Sequence, residues 1–186
     1  MPTWETILIA VFAVIAVALL IGAIGYAMNR RRTQRLRQHY GPEYERLVSE
    51  AGGQRAAEKE LLAREHKREK LDIAPLPPAA RSDFTTRWNQ VQTAFVDNPT
   101  AAVGVADRLV TDVMRQRGYP VDDFDQRAAD ISVDHPQIVD NYRAAHAVHL
   151  SQQHGEVSTE QQREAFVHYR ALFEKLLETT SQEAKK

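Results

Sequence analysis

The chain contains no cysteine, which excludes disulfides, thiolate zinc sites and cysteine nucleophiles together. GxxxxGK and GxGxxG are missing, so neither a P-loop nor a dinucleotide fingerprint is present. GxSxG and HExxH, the signatures of serine hydrolases and zinc proteases, are missing too. No run alternates apolar and polar residues in the way a half-buried strand requires. Charge is absent between Thr6 and Asn29, and no Lys or Arg precedes Arg30.

That uncharged interval, "TILIAVFAVIAVALLIGAIGYAMN", is the strongest positive signal. Its apolar heart runs from Ile7 to Met28. As a helix it measures about 33 Å, against a hydrocarbon core of about 30 Å. Ile, Leu, Val and Phe dominate it, and at about −0.3 to −0.6 kcal/mol each they favour insertion by roughly 4 to 7 kcal/mol. Trp4 and Tyr26 sit near its ends, where interfacial aromatics gather. Cleaved signal peptides carry a basic start and a shorter apolar core, and "MPTWE" has no basic residue. Residues 1–29 are therefore expected to stay as a transmembrane anchor rather than form a core helix. Arg30, Arg31, Arg32, Arg35 and Arg37 crowd the trailing side, which predicts an outward N-terminus and a cytoplasmic C-terminal domain. The same arginines suit anionic lipid headgroups. Ala18 and Gly22 are four apart, the spacing of close-packed membrane helices, which gives a homo-oligomer through the span as one option; such pairs are also ordinary in any span.

Charge divides the remainder. Residues 29–71 carry 12 Lys/Arg against 7 Asp/Glu, and residues 72–186 carry 12 against 17. An acidic C-terminal domain lacks the basic face of a general nucleic-acid binder, so no nucleic-acid partner is expected. Residues 30–71 read as a basic juxtamembrane helix and a solvated helical stalk, interrupted at Gly41-Pro42 and Gly52-Gly53. Glu60 and Arg64 form an i,i+4 pair in it. Pro75, Pro77 and Pro78 mark a linker over 72–80. Beyond it the periodicity is helical, giving an all-α fold with a compact domain of about five helices over 81–180 and a tail over 181–186. Phe84, Trp88, Val91 and Phe95 make one stripe. Ala102, Ala106, Leu109, Val113 and Met114 make the next, started by Asn98-Pro99 and ended by Gly118. Ile138, Tyr142, Ala145 and His149 make a third. Ala165, Tyr169, Leu172, Phe173 and Leu176 make the last, after a Ser158/Gln161 capping box.

The stretch "RGYPVDDFDQRAADISVDHP" (117–136) gathers the candidate ligand-binding residues Arg117, Asp122, Asp123, Arg127, Asp130 and His135. Arg and Asp beside two helix starts could hold an anionic or metal-bound ligand. Helix capping accounts for the same residues: Asp123 with Gln126 and Asp134 with Gln137 both have capping-box spacing. Arg127 can pair with Asp123 or Asp130. An EF-hand fails here, because its fifth position would be Arg127 and its sixth Ala128, where glycine is needed. His146 and His149 share a helix face, and His168 could approach them as a third metal ligand; packed or surface histidines are the plainer reading. No cofactor is implied.

The segments "REKLDI" (68–73), "RWNQVQTAFVDNP" (87–99), "ADRLVTDVMRQRGYPVDDFDQRAADISVDHPQIVDNYRAAH" (106–146) and "HYRALFEKLL" (168–177) follow a single span. Together they resemble a family of uncharacterised bacterial single-pass membrane proteins. The resemblance implies a bacterial plasma-membrane setting and a helical domain, and it carries no activity and no site residue. The favoured expectation is a membrane-tethered module that docks a protein partner beside the lipid bilayer. The alternatives are a ligand-binding or metal-dependent domain built on 117–135, and a structural envelope spacer.

Overall fold

The fold is seen in a computed structural model, which describes residues 3–155 and 157–178. The side chains of residues 5–7 and the expected 181–186 tail lie outside the described residues. Among the described residues there are eight α-helices and no strand, in line with the all-α expectation. The chain divides into two units, Met1–His39 and Tyr40–Lys186.

Helix α1 (Trp4–Tyr40) carries the apolar stretch in its N-terminal part, up to Met28. From Leu8 it is long and apolar enough to cross a membrane, and no part of its most apolar stretch is buried. Its large side chains, Phe12, Leu19 and Ile21 among them, stand open. A core helix of a soluble protein would have them covered.

The second unit opens with α2 (Pro42–Glu50) and α3 (Gln54–Glu69). Gly41 precedes Pro42 with a φ of 51°, and Gly52 and Gly53 turn the chain between the two helices at φ 74° and 143°. These are left-handed values that favour glycine, so the expected interruptions occur where the sequence puts them. The stalk expected over 54–71 is mostly solvent-facing, but one side of it is covered. Ala57, Glu58 and Leu61 are buried, and α3 packs on α6 (Phe124–Asp134). The apolar residues are sparse, but charged side chains complete the contact.

Nor is 72–80 a free linker. Ile73 and Leu76 enter the hydrophobic core, and the Ala74 amide donates to the Arg117 carbonyl at 2.9 Å. The prolines hold this segment extended as a strap, and Pro78 already begins α4 (Pro78–Asp97). Phe84, Trp88 and Val91 point inward from α4, with Trp88 stacked on Phe166 and Phe173 at centroid distances of 5.0 and 4.6 Å. Burying each such ring stabilises by about 1.5–3 kcal/mol.

Asn98 caps α5 (Pro99–Arg117) by accepting from the Ala101 amide at 3.0 Å, and Pro99 takes the first turn. All five expected stripe residues of α5 are buried. Gly118 ends the helix at φ 97°. A Cβ there would lie 2.4 Å from the Asp72 carbonyl oxygen, so glycine is required for conformation and for space. Helix α7 (Val139–His154) contributes Tyr142 and Ala145, and α8 (Thr159–Leu177) follows the Ser158/Gln161 capping box. Ala165, Tyr169, Leu172, Phe173 and Leu176 all face the core. Helices α4, α5, α7 and α8 pack around one apolar cluster, with α6 laid against α7.

Candidate functional site

The most concentrated chemistry in the second unit is a charged seam along α2, α3, α6 and α7. Glu43 is fully buried in the first turn of α2. Arg46, Arg64 and Arg143 converge on its carboxylate at 2.7, 2.9 and 2.6 Å. Burial pushes the Glu43 carboxyl up, but hydrogen bonds from Arg46 and Arg143 and their charges outweigh it and hold it below the usual range. Further along, Lys67 Nζ donates to the buried Asp130 at 2.9 Å. Arg68 Nε and Tyr119 Oη both donate to Asp134 Oδ2, at 2.6 and 2.5 Å. Arg64, Lys67 and Arg68 fall at i, i+3 and i+4, which puts them on one face of α3. Asp130 and Asp134 present the matching face of α6.

A second cluster lies between α5, α7 and α8. Asp107 Oδ1 accepts from Tyr169 Oη at 2.9 Å and lies 3.4 Å from His146 Nδ1. Burial raises the Asp107 carboxyl, yet the bonds from His146 and Tyr169 and the neighbouring imidazoles bring it below its ordinary value. Burial and the Asp107 charge push the Tyr169 hydroxyl far up, so it remains a donor. Phe124 covers the His146 ring, with centroids 3.6 Å apart and planes 8° apart. Arg127 Nε donates to Tyr142 Oη at 3.2 Å, and the Tyr142 ring meets Tyr169 edge-on. A carboxylate holding an imidazole is the arrangement a general base needs. Phe124 closes one face of that imidazole, and its carboxylate joins helices. Asp107 is not singled out by the sequence, and Tyr169 is marked there only as a core-stripe residue. Asp107 stands between the stripe residues Ala106 and Leu109, and a carboxylate at the edge of an apolar stripe was the available signal.

The six ligand-binding candidates are placed as follows. Arg117, only 1% exposed, donates to the carbonyls of Leu176 at 2.9 Å and Ala74 at 3.3 Å, fastening the end of α8 and the strap to α5. Asp122 is exposed. Asp123 caps α6 by accepting from the Gln126 amide at 2.9 Å, but the Gln126 side chain donates to Asp130 at 3.0 Å, so only the N-cap half of the expected box forms. Arg127 pairs with neither Asp123 nor Asp130; it donates to the Val121 carbonyl at 2.8 Å and to Tyr142. Asp130 holds Lys67 and Gln126. His135 is buried just beyond the end of α6. The second expected cap is corrected: α7 starts at Val139 after Ile138, without a side-chain cap, because Asp134 is committed to Arg68 and Tyr119.

His146 and His149 do share a face of α7, with ring centroids 6.0 Å apart. His168 lies 3.8 Å from Glu164 on its own helix. No group of three or more His, Asp or Glu side chains among the described residues could hold a metal ion. Two open surface cavities of about 300 Å³ occur elsewhere. One is bounded by Val91, Ala94, Ala101 and Val105 between α4 and α5, the other by Thr100, Gln152, Val157 and Gln162. None of the residues expected to bind ligand lines either. Comparison with protein-family models, curated proteins and solved structures finds no match.

Proposed function

We propose that the chain is a membrane-tethered protein-interaction module. In this reading α1 crosses the bacterial plasma membrane once, N-terminus outward, and the second unit is a cytoplasmic docking domain. The observation that carries it is the uncovered apolar surface of α1. Its large side chains from Leu8 to Met28 are between 45% and 72% exposed, as at Leu8 and Tyr26. So long an apolar surface is not left in water by a soluble protein, whereas lipid solvates it and the helix satisfies its own backbone. The arginines from Arg30 to Arg37 favour the orientation.

Docking is favoured over small-ligand chemistry because Arg117, Asp123, Asp130 and Asp134 serve packing, capping and ion pairing within the chain. The test is in-cell crosslinking of the full chain followed by capture from detergent-solubilised membranes. A partner recovered with the full chain, and lost when the second unit is replaced by an unrelated helical domain, supports the reading. Turnover of a substrate by the purified chain, with no specific crosslinked partner, overturns it.

A further inference from the structure

The arm formed by α2 and α3 is attached to the bundle in a different way from every other helix of the second unit. Helices α4 to α8 share one continuous apolar cluster. Tyr44, Leu47, Ala57 and Leu61 of the arm are buried but lie outside that cluster. Side-chain bonds tie the arm to the bundle: Arg143 of α7 to Glu43, Arg64 to Ser132 Oγ at 3.3 Å, Lys67 to Asp130 and Arg68 to Asp134. Ion pairs lose desolvation energy on forming, so they hold an interface more weakly than the same area of apolar packing. The arm also has joints. Gly41 lies at its start with open space where a Cβ would project. The strap after it is anchored independently, through Ile73, Leu76 and the Ala74–Arg117 hydrogen bond.

We propose that the α2–α3 arm is a releasable clasp, held shut by these charge pairs, which lifts from α6 and α7 while α4 to α8 stay folded. Lifting uncovers the face of α6 that carries Ala129, Asp130 and Ser132, together with Arg143 on α7. The arm follows directly on α1, so the clasp lies in the chain between the apolar helix and the bundle. The inference goes beyond the docking reading and holds whatever the domain docks.

Hydrogen exchange of the full chain in detergent micelles tests it. Lys67→Asp should speed exchange of the amides over 43–69 by about tenfold or more, while α5 and α8 exchange as before. The added Asp130→Lys exchange of charge should restore arm protection. Glu43→Gln, which removes the carboxylate shared by the arginines, should release the arm in the same way and leaves Lys67 and Asp130 in place. Equal acceleration of arm, α5 and α8 in these variants would show that the arm unfolds only with the bundle and would overturn the proposal. Unchanged arm protection in both Lys67→Asp and Glu43→Gln, or failure of the charge exchange to restore it, would overturn it as well.

Discussion

Tyr169 Oη lies 2.9 Å from Asp107 Oδ1, which fastens α8 to α5 through a part-buried carboxylate. Tyr169 is fully buried and His146 approaches the same oxygen, so the charge on Asp107 is compensated in the folded chain.

The first prediction follows from that compensation. Burial raises the Asp107 carboxyl and the partners lower it further than burial raises it, so its folded pKa lies below its unfolded value. A group shifted in that direction stabilises the fold above the unfolded value, and the contribution is lost as pH falls through the folded one. The unfolded value for Asp is about 3.9, so the full contribution is present at neutral pH and disappears below about pH 4. Asp107→Asn should cost about 1–2 kcal/mol at pH 7. Denaturant midpoints of wild type and variant, taken in detergent at falling pH, should converge. A difference that widens toward acid would contradict the assignment.

Arg117 is expected to be among the least replaceable residues of the second unit. Its guanidinium reaches the Leu176 and Ala74 carbonyls at once, from a site with almost no solvent. Arg117→Met should destabilise by about 3 kcal/mol or more, because a buried and a part-buried carbonyl lose a charged donor and the pocket loses its fit. Arg117→Lys keeps the charge but lacks the fork that spans two acceptors, so it should recover only part of the loss. Equilibrium unfolding with an unchanged denaturant slope would measure this. Wild-type stability in Arg117→Met would refute the fastening role.

Gly118 and Gly155 should respond oppositely to the same change. At Gly118 the φ of 97° and the Asp72 carbonyl oxygen, 2.4 Å from an added Cβ, leave no room for alanine. Gly118→Ala should cost about 2 kcal/mol or more. Gly155 has an extended backbone and open space around the added carbon, so Gly155→Ala should be neutral or stabilise by up to about 1 kcal/mol. Thermal unfolding of both variants beside wild type reads the contrast directly, and equal effects would contradict it.

These residues also mark what the sequence could reveal. Helical stripes and caps are local, so Trp88, Leu109, Tyr169, Asn98, Asp123 and Ser158 were legible from spacing alone. Asp134 was not: its spacing to Gln137 matches a cap, but Arg68, 66 residues away, takes the carboxylate. The burial of α3 was hidden for the same reason. Its apolar positions are few, and the contact depends on charges whose partners lie 63 to 68 residues further along. The stretch 117–136, rich in Arg and Asp, left a ligand site and helix capping both open on sequence, and most of its charge caps, braces or pairs within the chain. Asp107 went unread because one carboxylate at the edge of an apolar stripe carries no periodic signature, and its significance came only when α7 and α8 brought His146 and Tyr169 against it.

The last prediction concerns orientation. Arg30, Arg31, Arg32, Arg35 and Arg37 follow the apolar stretch, and no basic residue precedes it. Retention of basic residues on the cytoplasmic side orients a span, and it acts over the residues adjoining it. A reporter active only in the cytoplasm, fused after Lys186, should be active in wild type. Replacing the five arginines with glutamine and inserting three lysines after Met1 should reverse the bias and silence that reporter, while an outward-active reporter at the same position switches on. If the outward reporter is already active in wild type, the second unit lies outside, and the cytoplasmic docking proposal falls with it. If instead the wild-type chain is recovered from cells without its apolar stretch, α1 serves as a leader and the tether is wrong. Reversal on moving the charges, with the span retained in both forms, would establish that the arginines set the side on which the helical unit works.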